Sequence, residues 1–319
     1  MLVRLPQLEG IDLNRFQFDY DLTMMVFFLG PDGQVYGRYG GRDGEDPEAR
    51  LSLAGLRYAM QAALRTHERS EKTPVAKIVE RPKFIRDLVG GRRDCVHCHQ
   101  INEMQHAALK RQGRWTRDHL WRYPLPDNLG IVLKIDQGDV VERVTRDSPA
   151  AKIGIRPGDV IERLAGHPIH SLADAQFALD GAPKSGTLEV VWRHQSKTHR
   201  GQLTLSEGWR RTDLSWRRSL QWVVPSARLN GRDLKPQERT SRGLTAKQLA
   251  FWEGYPISKE AKAAGVREGD IILGFDGKKL DMTAYQFLSY VRAKYLVDDQ
   301  VTVDVLRDNK RLKLSMKLR

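Results

Sequence analysis

The sequence predicts an α+β chain built from several modules, and three observations carry that reading. Its 319 residues exceed what one ordinary core organises. A stretch in its second half recurs 111 positions further on, as Gly154 over Gly265, Gly158 over Gly269, Asp159 over Asp270 and Gly166 over Gly277. Ahead of that repeat, a strand–turn–strand–helix pattern and a short cysteine-bearing segment follow periodicities of their own.

The composition sets outer limits. With 40% hydrophobic and 29% charged residues the chain is globular. The longest apolar block, Leu22 to Leu29, falls far short of the roughly 18 residues a membrane span needs. The start, Met1 to Pro6, has no apolar core or cleavage site of a secretory signal. A net charge of +13 favours anionic partners, but 53 basic and 40 acidic residues are interleaved. The basic stretch Arg81 to Arg93 and the Trp209-Arg210-Arg211 and Trp216-Arg217-Arg218 pairs sit in no nucleic-acid motif, so nucleic acid is not expected.

Taken in order, Leu22–Leu29 reads as a buried strand, Gly30-Pro31-Asp32-Gly33 as a turn and Gln34–Tyr39 as its partner strand. Leu51, Leu53, Leu56, Met60 and Leu64 recur at helical spacing behind a Ser52 cap. Residues 70–94 read as a linker with a short helix near Lys83–Val89. Cys95-Val96-His97-Cys98-His99 follows and holds the only two cysteines of the chain. A helix from Ile101 to Gln112 is ended by Gly113, and an aromatic, proline-punctuated connection leads to the first copy of the repeat.

Each copy offers strands, a short helix, a Gly turn and a second helix. In the first these are Asn128–Leu133, Val140–Val144, the Ser148-capped helix, a helix over 171–180 capped by Ser171, and closing strands at Gly186–Arg193 and Gly201–Leu205. The expected boundaries are 1–72, 73–126, 127–206, a connector at 207–242, and 243–319. The pair Asp298-Asp299 lies in a turn context and reads as solvated loop.

The pentapeptide admits three chemistries. Two thiols one helical turn apart followed by a histidine suit covalent c-type haem, with Cys95 and Cys98 as thioethers and His99 on the iron. His119 ranks first as the opposite axial ligand, ahead of Met60. The same residues suit a zinc ion held by Cys95, Cys98, His99 and His106. They also suit a dithiol couple, aided by Arg92 and Arg93. Haem is the reading the full pentapeptide fits best. No complete catalytic site is visible, and no Gly-x-Ser-Gly-Gly nucleophile segment is present, so a serine protease is not expected.

The repeated S-P-A-x-x-x-G-(I/V)-x-x-G-D-(V/I)-I pattern resembles bacterial PDZ domains. That resemblance implies a peptide C-terminus bound as an added strand, its carboxylate on the loop Leu129-Gly130-Ile131-Val132, with Ala175 and Leu179 on the flanking helix wall. In copy two the corresponding place reads as Arg242-Gly243-Leu244-Thr245, which departs from the pattern. Phe16 to Arg69 resembles the C-terminal half of a thioredoxin-like domain, without its thiol motif. Together these features look like a bacterial thioredoxin–PDZ (seleno)protein family. The likeness implies an envelope redox or electron-transfer adaptor that recruits protein partners through its first PDZ domain, and a natural chain extending upstream of Met1 with a signal peptide. A PDZ scaffold with a zinc or dithiol clip is the alternative.

Overall fold

The computed structural model describes all residues except 1, 6, 7, 9, 43–45, 71–80 and 90–95. The chain divides into two compact units, Met1–Thr212 and Asp213–Arg319.

Unit 1 opens with a hairpin, β1 (Met25–Leu29) and β2 (Val35–Gly40), paired antiparallel with each other. Its Met25 and Phe27 face a core shared with Phe18, Tyr20, Ile85, Leu88, Ile101 and Met104. The last four belong to two helices, α2 (Ile85–Val89) and α3 (Cys98–Arg111). The cysteine-bearing helix is therefore part of the N-terminal core.

Between them lies helix α1 (Leu53–Ser70), capped as expected by Ser52, whose Oγ accepts from the Gly55 N–H at 2.9 Å. Its faces differ from the expected ones. Leu53, Met60 and Leu64 are exposed, while Ala59, Ala62 and Ala63 are buried. Close approach explains this: a Cβ on Gly55 would lie 2.4 Å from the Ile135 carbonyl, so the inward face must be small.

The rest of unit 1 is the first module. Strands β3 (Ile131–Leu133) and β4 (Val141–Val144) pair with each other. Helix α4 (Pro149–Lys152) precedes β5 (Val160–Leu164) and β6 (His167–Pro168). Helix α5 (Leu172–Asp180) and the long hairpin β7 (Gly186–His194) with β8 (Lys197–Leu205) complete it, the second sheet running β6-β5-β7-β8. Asn128 and Leu129, expected as the start of a strand, lie instead in a 3-10 turn, Pro126–Leu129, with Pro126 first. Trp209 is buried in this module's core, where its indole donates to the Pro183 carbonyl at 3.0 Å.

Unit 2 is one five-stranded sheet whose neighbouring strands follow one another in chain order. Its elements are β9 (Gly231–Asp233), α6 (Pro236–Thr240), β10 (Phe251–Glu253), α7 (Lys259–Ala263) and β11 (Ile271–Phe275). They continue as α8 (Ala284–Lys294), β12 (Gln300–Arg307) and β13 (Lys310–Lys317). Phe251, Phe275 and Phe287 fill its core. Both sheet and core begin upstream of residue 243, with Ala227 and Leu229 in that core.

The repeated residues do the same work in each copy. Gly158 and Gly269 take positive φ of 88° and 82°, which a side chain would strain. The Asp after each glycine accepts from a turn N–H, Asp159 from Arg156 and Asp270 from Arg267. The other oxygen meets a basic residue on the long hairpin, His194 at 2.5 Å in copy one and Arg307 at 2.7 Å in copy two.

Candidate functional site

Cys95, Arg92 and Arg93 lie outside the described residues. Cys98 opens α3, is half-buried against the N-terminal core, and burial raises its thiol pKa. His99 bonds Glu103 one turn on at 3.0 Å. His106 is two turns further along, about 12 Å from Cys98 at 1.5 Å per residue, so the helix keeps it apart from the Cys98–His99 pair. His106 is buried, accepts from the Trp115 indole at 3.0 Å, and burial lowers its pKa to about 4. His119 is held in its own turn, where Nδ1 accepts from the Thr116 N–H at 3.1 Å. Met104 is buried in the core and Met60 faces solvent. Among the described residues no three His, Cys, Asp or Glu side chains converge as metal ligands.

The expected peptide-site residues of the first module do come together as part of its own core, and the outer face of α5 beside them is covered. Leu129, Gly130, Ile131 and Val132 form the loop and first strand positions beside α5, and Ala175 and Leu179 lie on α5. All six are buried, Ala175 and Leu179 to 0% exposure, as members of the core. Gly130 takes φ +87°, and a Cβ there would sit 2.1 Å from Ser148 Oγ, so only glycine fits.

The cover is the chain itself. The Arg38 N–H donates to Asp174 Oδ1 at 2.9 Å, and Ser171 Oγ donates to the Arg38 carbonyl at 2.5 Å. The Arg38 guanidinium lies 3.6 Å from the Phe177 ring centre. A Cβ on Gly41 would sit 2.8 Å from Leu172, and Arg50 reaches Asp127 beside the loop at 3.0 Å. From the other side Gln176 donates to the Tyr123 carbonyl at 2.9 Å. The space left between Leu133–Ile135, the start of α5 and the covering Tyr39, Gly40 and Arg50 is about 10 Å³, no more than one water's worth.

The second module places its loop elsewhere than the sequence suggests. In copy one the Thr145 N–H bonds the Gly130 carbonyl at 2.9 Å; in copy two the Gly254 N–H bonds the Asn230 carbonyl at 2.8 Å. Asn230 is thus the counterpart of Gly130, β9 of β3 and α8 of α5. The loop is Leu229-Asn230-Gly231, and Arg242-Gly243-Leu244-Thr245 instead belongs to an insertion containing α6. Seventeen residues join β9 to β10 where seven join β3 to β4, and the ten extra hide this from any fixed offset.

Here the groove is open. The α8 positions matching buried Leu172 and Gln176 are Ala284 and Leu288, half-exposed and 37% exposed respectively. Tyr255 beside the loop and Tyr285 on α8 are 81% and 79% exposed. Near the start of α8 the second module has a cleft of about 550 Å³.

Glu253 lies directly under this loop, where copy one has Val144. It is 2% exposed, accepts from the Asn230 N–H at 3.2 Å through one oxygen, and its other oxygen has no hydrogen-bond partner among the described residues. Burial, reinforced by Asp270, raises its pKa to about 7. The raised value sets a sign: the folded carboxyl keeps its proton while the unfolded one releases it, so stability falls as pH rises from about 4.5 through about 7. Glu253→Gln should flatten that slope and stabilise unit 2 by about 2–3 kcal/mol at pH 8. Thermal melts between pH 5 and 9 test it, and parallel slopes for the two proteins would refute the assignment.

Comparison with known proteins gives the modules their identity. The PDZ domain family matches residues 140–193 and again 256–318, so the chain contains two PDZ domains. Over 185 residues the chain is 23% identical to the periplasmic pH-dependent serine endoprotease DegQ of Escherichia coli (strain K12), covering 58% of this chain. The chain spans 37% of that protein's length. Similar solved structures include the HtrA-type protease AlgW with decapeptide, 15% identical at TM-score 0.26 over 56% of this chain and 55% of that one. A tripeptide-bound form of AlgW is 19% identical at TM-score 0.26 over 31% and 32% of the two chains.

These findings correct two expectations. The curated relative is a serine endoprotease, which overturns the reading as a haem electron-transfer adaptor. The thioredoxin-like assignment falls with it: the N-terminal hairpin is a two-stranded sheet docked on a PDZ helix through Arg38 and Asp174. Among the described residues no helix is long and apolar enough to cross a membrane.

Proposed function

We propose that this chain is a protein-interaction module whose second PDZ domain receives the C-terminal peptide of a partner, while its first is closed by the N-terminal hairpin. The incoming strand adds to β9 beside α8, with its carboxylate on the Leu229–Gly231 loop. The observation that carries the reading is the contrast at equivalent helix positions: Leu172 and Gln176 of α5 are buried, whereas Ala284 of α8 is half-exposed and Leu288 is 37% exposed. The first domain serves as a platform that holds the α3-bearing N-terminal core in place, and peptide entry there requires the hairpin to leave. The periplasmic relative supports a location in the cell envelope for the natural protein.

Leu288 gives the test. It is partly exposed on the groove side of α8, so Leu288→Arg leaves the core intact. The variant should weaken binding of fluorescein-labelled peptides with free, apolar C-termini at least about tenfold, since a charge replaces an apolar contact. Fluorescence anisotropy with the full chain reads this directly. Equal affinity for variant and wild type would remove the second groove as the receptor.

A further inference from the structure

Resting on that reading, we propose that the α6 insertion gives the second PDZ domain a separate subsite for a bulky apolar side chain of the peptide, upstream of its last four residues. The direction follows from strand addition. A peptide with its carboxylate at Leu229–Gly231 runs antiparallel to β9, so its upstream residues pass Asp233 and Leu234. At about 3.3 Å per residue, four residues cover the strand, and the fifth reaches the mouth of the cleft.

The cleft there is lined by Leu234, Leu244, Ala246 and Met282, with Lys247 and Asp281 at its rim. Leu234 and Leu244 are buried at its base, whereas Ala246 is exposed. The first domain has no counterpart, because its β3 passes to β4 without an inserted helix. The cleft wall is held from beneath. Arg239 of α6, itself buried, donates to the carbonyls of Leu234, Thr245, Gln248 and Ala250. The start of α8 is common to both: Thr283 and Gln286 line the cleft, and Ala284 and Leu288 on the same helix are half-exposed and exposed.

The experiment compares three fluorescein-labelled peptides on the full chain by anisotropy. One is a tetrapeptide with an apolar C-terminus. The others are octapeptides with the same last four residues, preceded by Gly and Ser or by Leu and Phe. The apolar octapeptide should bind at least about tenfold tighter than the Gly-Ser one, as burial of one large apolar side chain supplies. Ala246→Trp, at an exposed position, should fill the cleft and reduce that advantage to about twofold or less while leaving tetrapeptide affinity unchanged. Equal affinity of the two octapeptides, or an advantage that survives Ala246→Trp, would overturn the subsite and leave the peptide-binding reading standing. Failure of the tetrapeptide and both octapeptides to bind would overturn both.

Discussion

Asp174→Ala is expected to destabilise unit 1 by about 3–5 kcal/mol, because it strands a buried cation and two donors at once. Asp174 is 3% exposed and accepts from the N–H groups of Arg38 and His170, with the Arg38 guanidinium 3.8 Å away. Removing it leaves the Arg38 and His170 N–H groups without their acceptor and the Arg38 guanidinium with the Gln17 carbonyl and the Phe27 and Phe177 rings but no counter-charge. For a unit of this size the loss corresponds to a fall in Tm of roughly 6–20 °C. Differential scanning calorimetry should show the unit 1 transition shifted and that of unit 2 in place.

The same carboxyl predicts a pH dependence. Burial raises its pKa to about 7, against the lowering effect of Arg38, whose own pKa burial depresses. The folded form holds its proton longer than the unfolded chain, so unit 1 loses stability as pH rises from about 4 through about 7. Asp174→Asn keeps one acceptor and cannot ionise; it should cost less than alanine and abolish that slope. An alanine variant within about 1 kcal/mol of wild type would show that the hairpin is not docked through Asp174.

The second large effect is expected at Arg239. Its guanidinium holds four carbonyls from three segments of the α6 insertion, including those of Leu234 at 3.1 Å and Ala250 at 3.3 Å. Arg239→Ala should destabilise unit 2 by about 2–4 kcal/mol, since several buried acceptors lose their donor together. Arg239→Lys should recover little, because a single ammonium cannot span the fork. Urea unfolding followed by tryptophan fluorescence measures the loss. An unchanged midpoint in the alanine variant would mean that the insertion is held by its apolar contacts alone.

Much of the local structure was legible in the residues. Ser52, Ser148 and Ser171 each cap the helix they announce, as hydroxyl acceptors before helical runs do. The Gly-Asp pairs of the repeat marked turns whose geometry recurs in both copies. Long-range burial was not legible. The leucines of α1 predicted an inward face, yet its alanines face in, because backbone approach at Gly55 decided the distance first.

The sequence by itself determined that two copies of one PDZ domain stand behind an unlike N-terminal part, because local propensity and turn chemistry act over a few residues and repeat with the sequence. Only the tertiary structure decided which copy's helix face is left exposed. A groove's access depends on what else packs on it: Arg38, Gly41 and Arg50, distant in sequence, close over α5 and β3, while nothing covers α8 in the same way within its unit. It also decided which residues form the second loop, since hydrogen bonding to Gly254 pairs Asn230 with Gly130 across an insertion that breaks the sequence register. Contacts between segments far apart in the chain leave no periodicity to read.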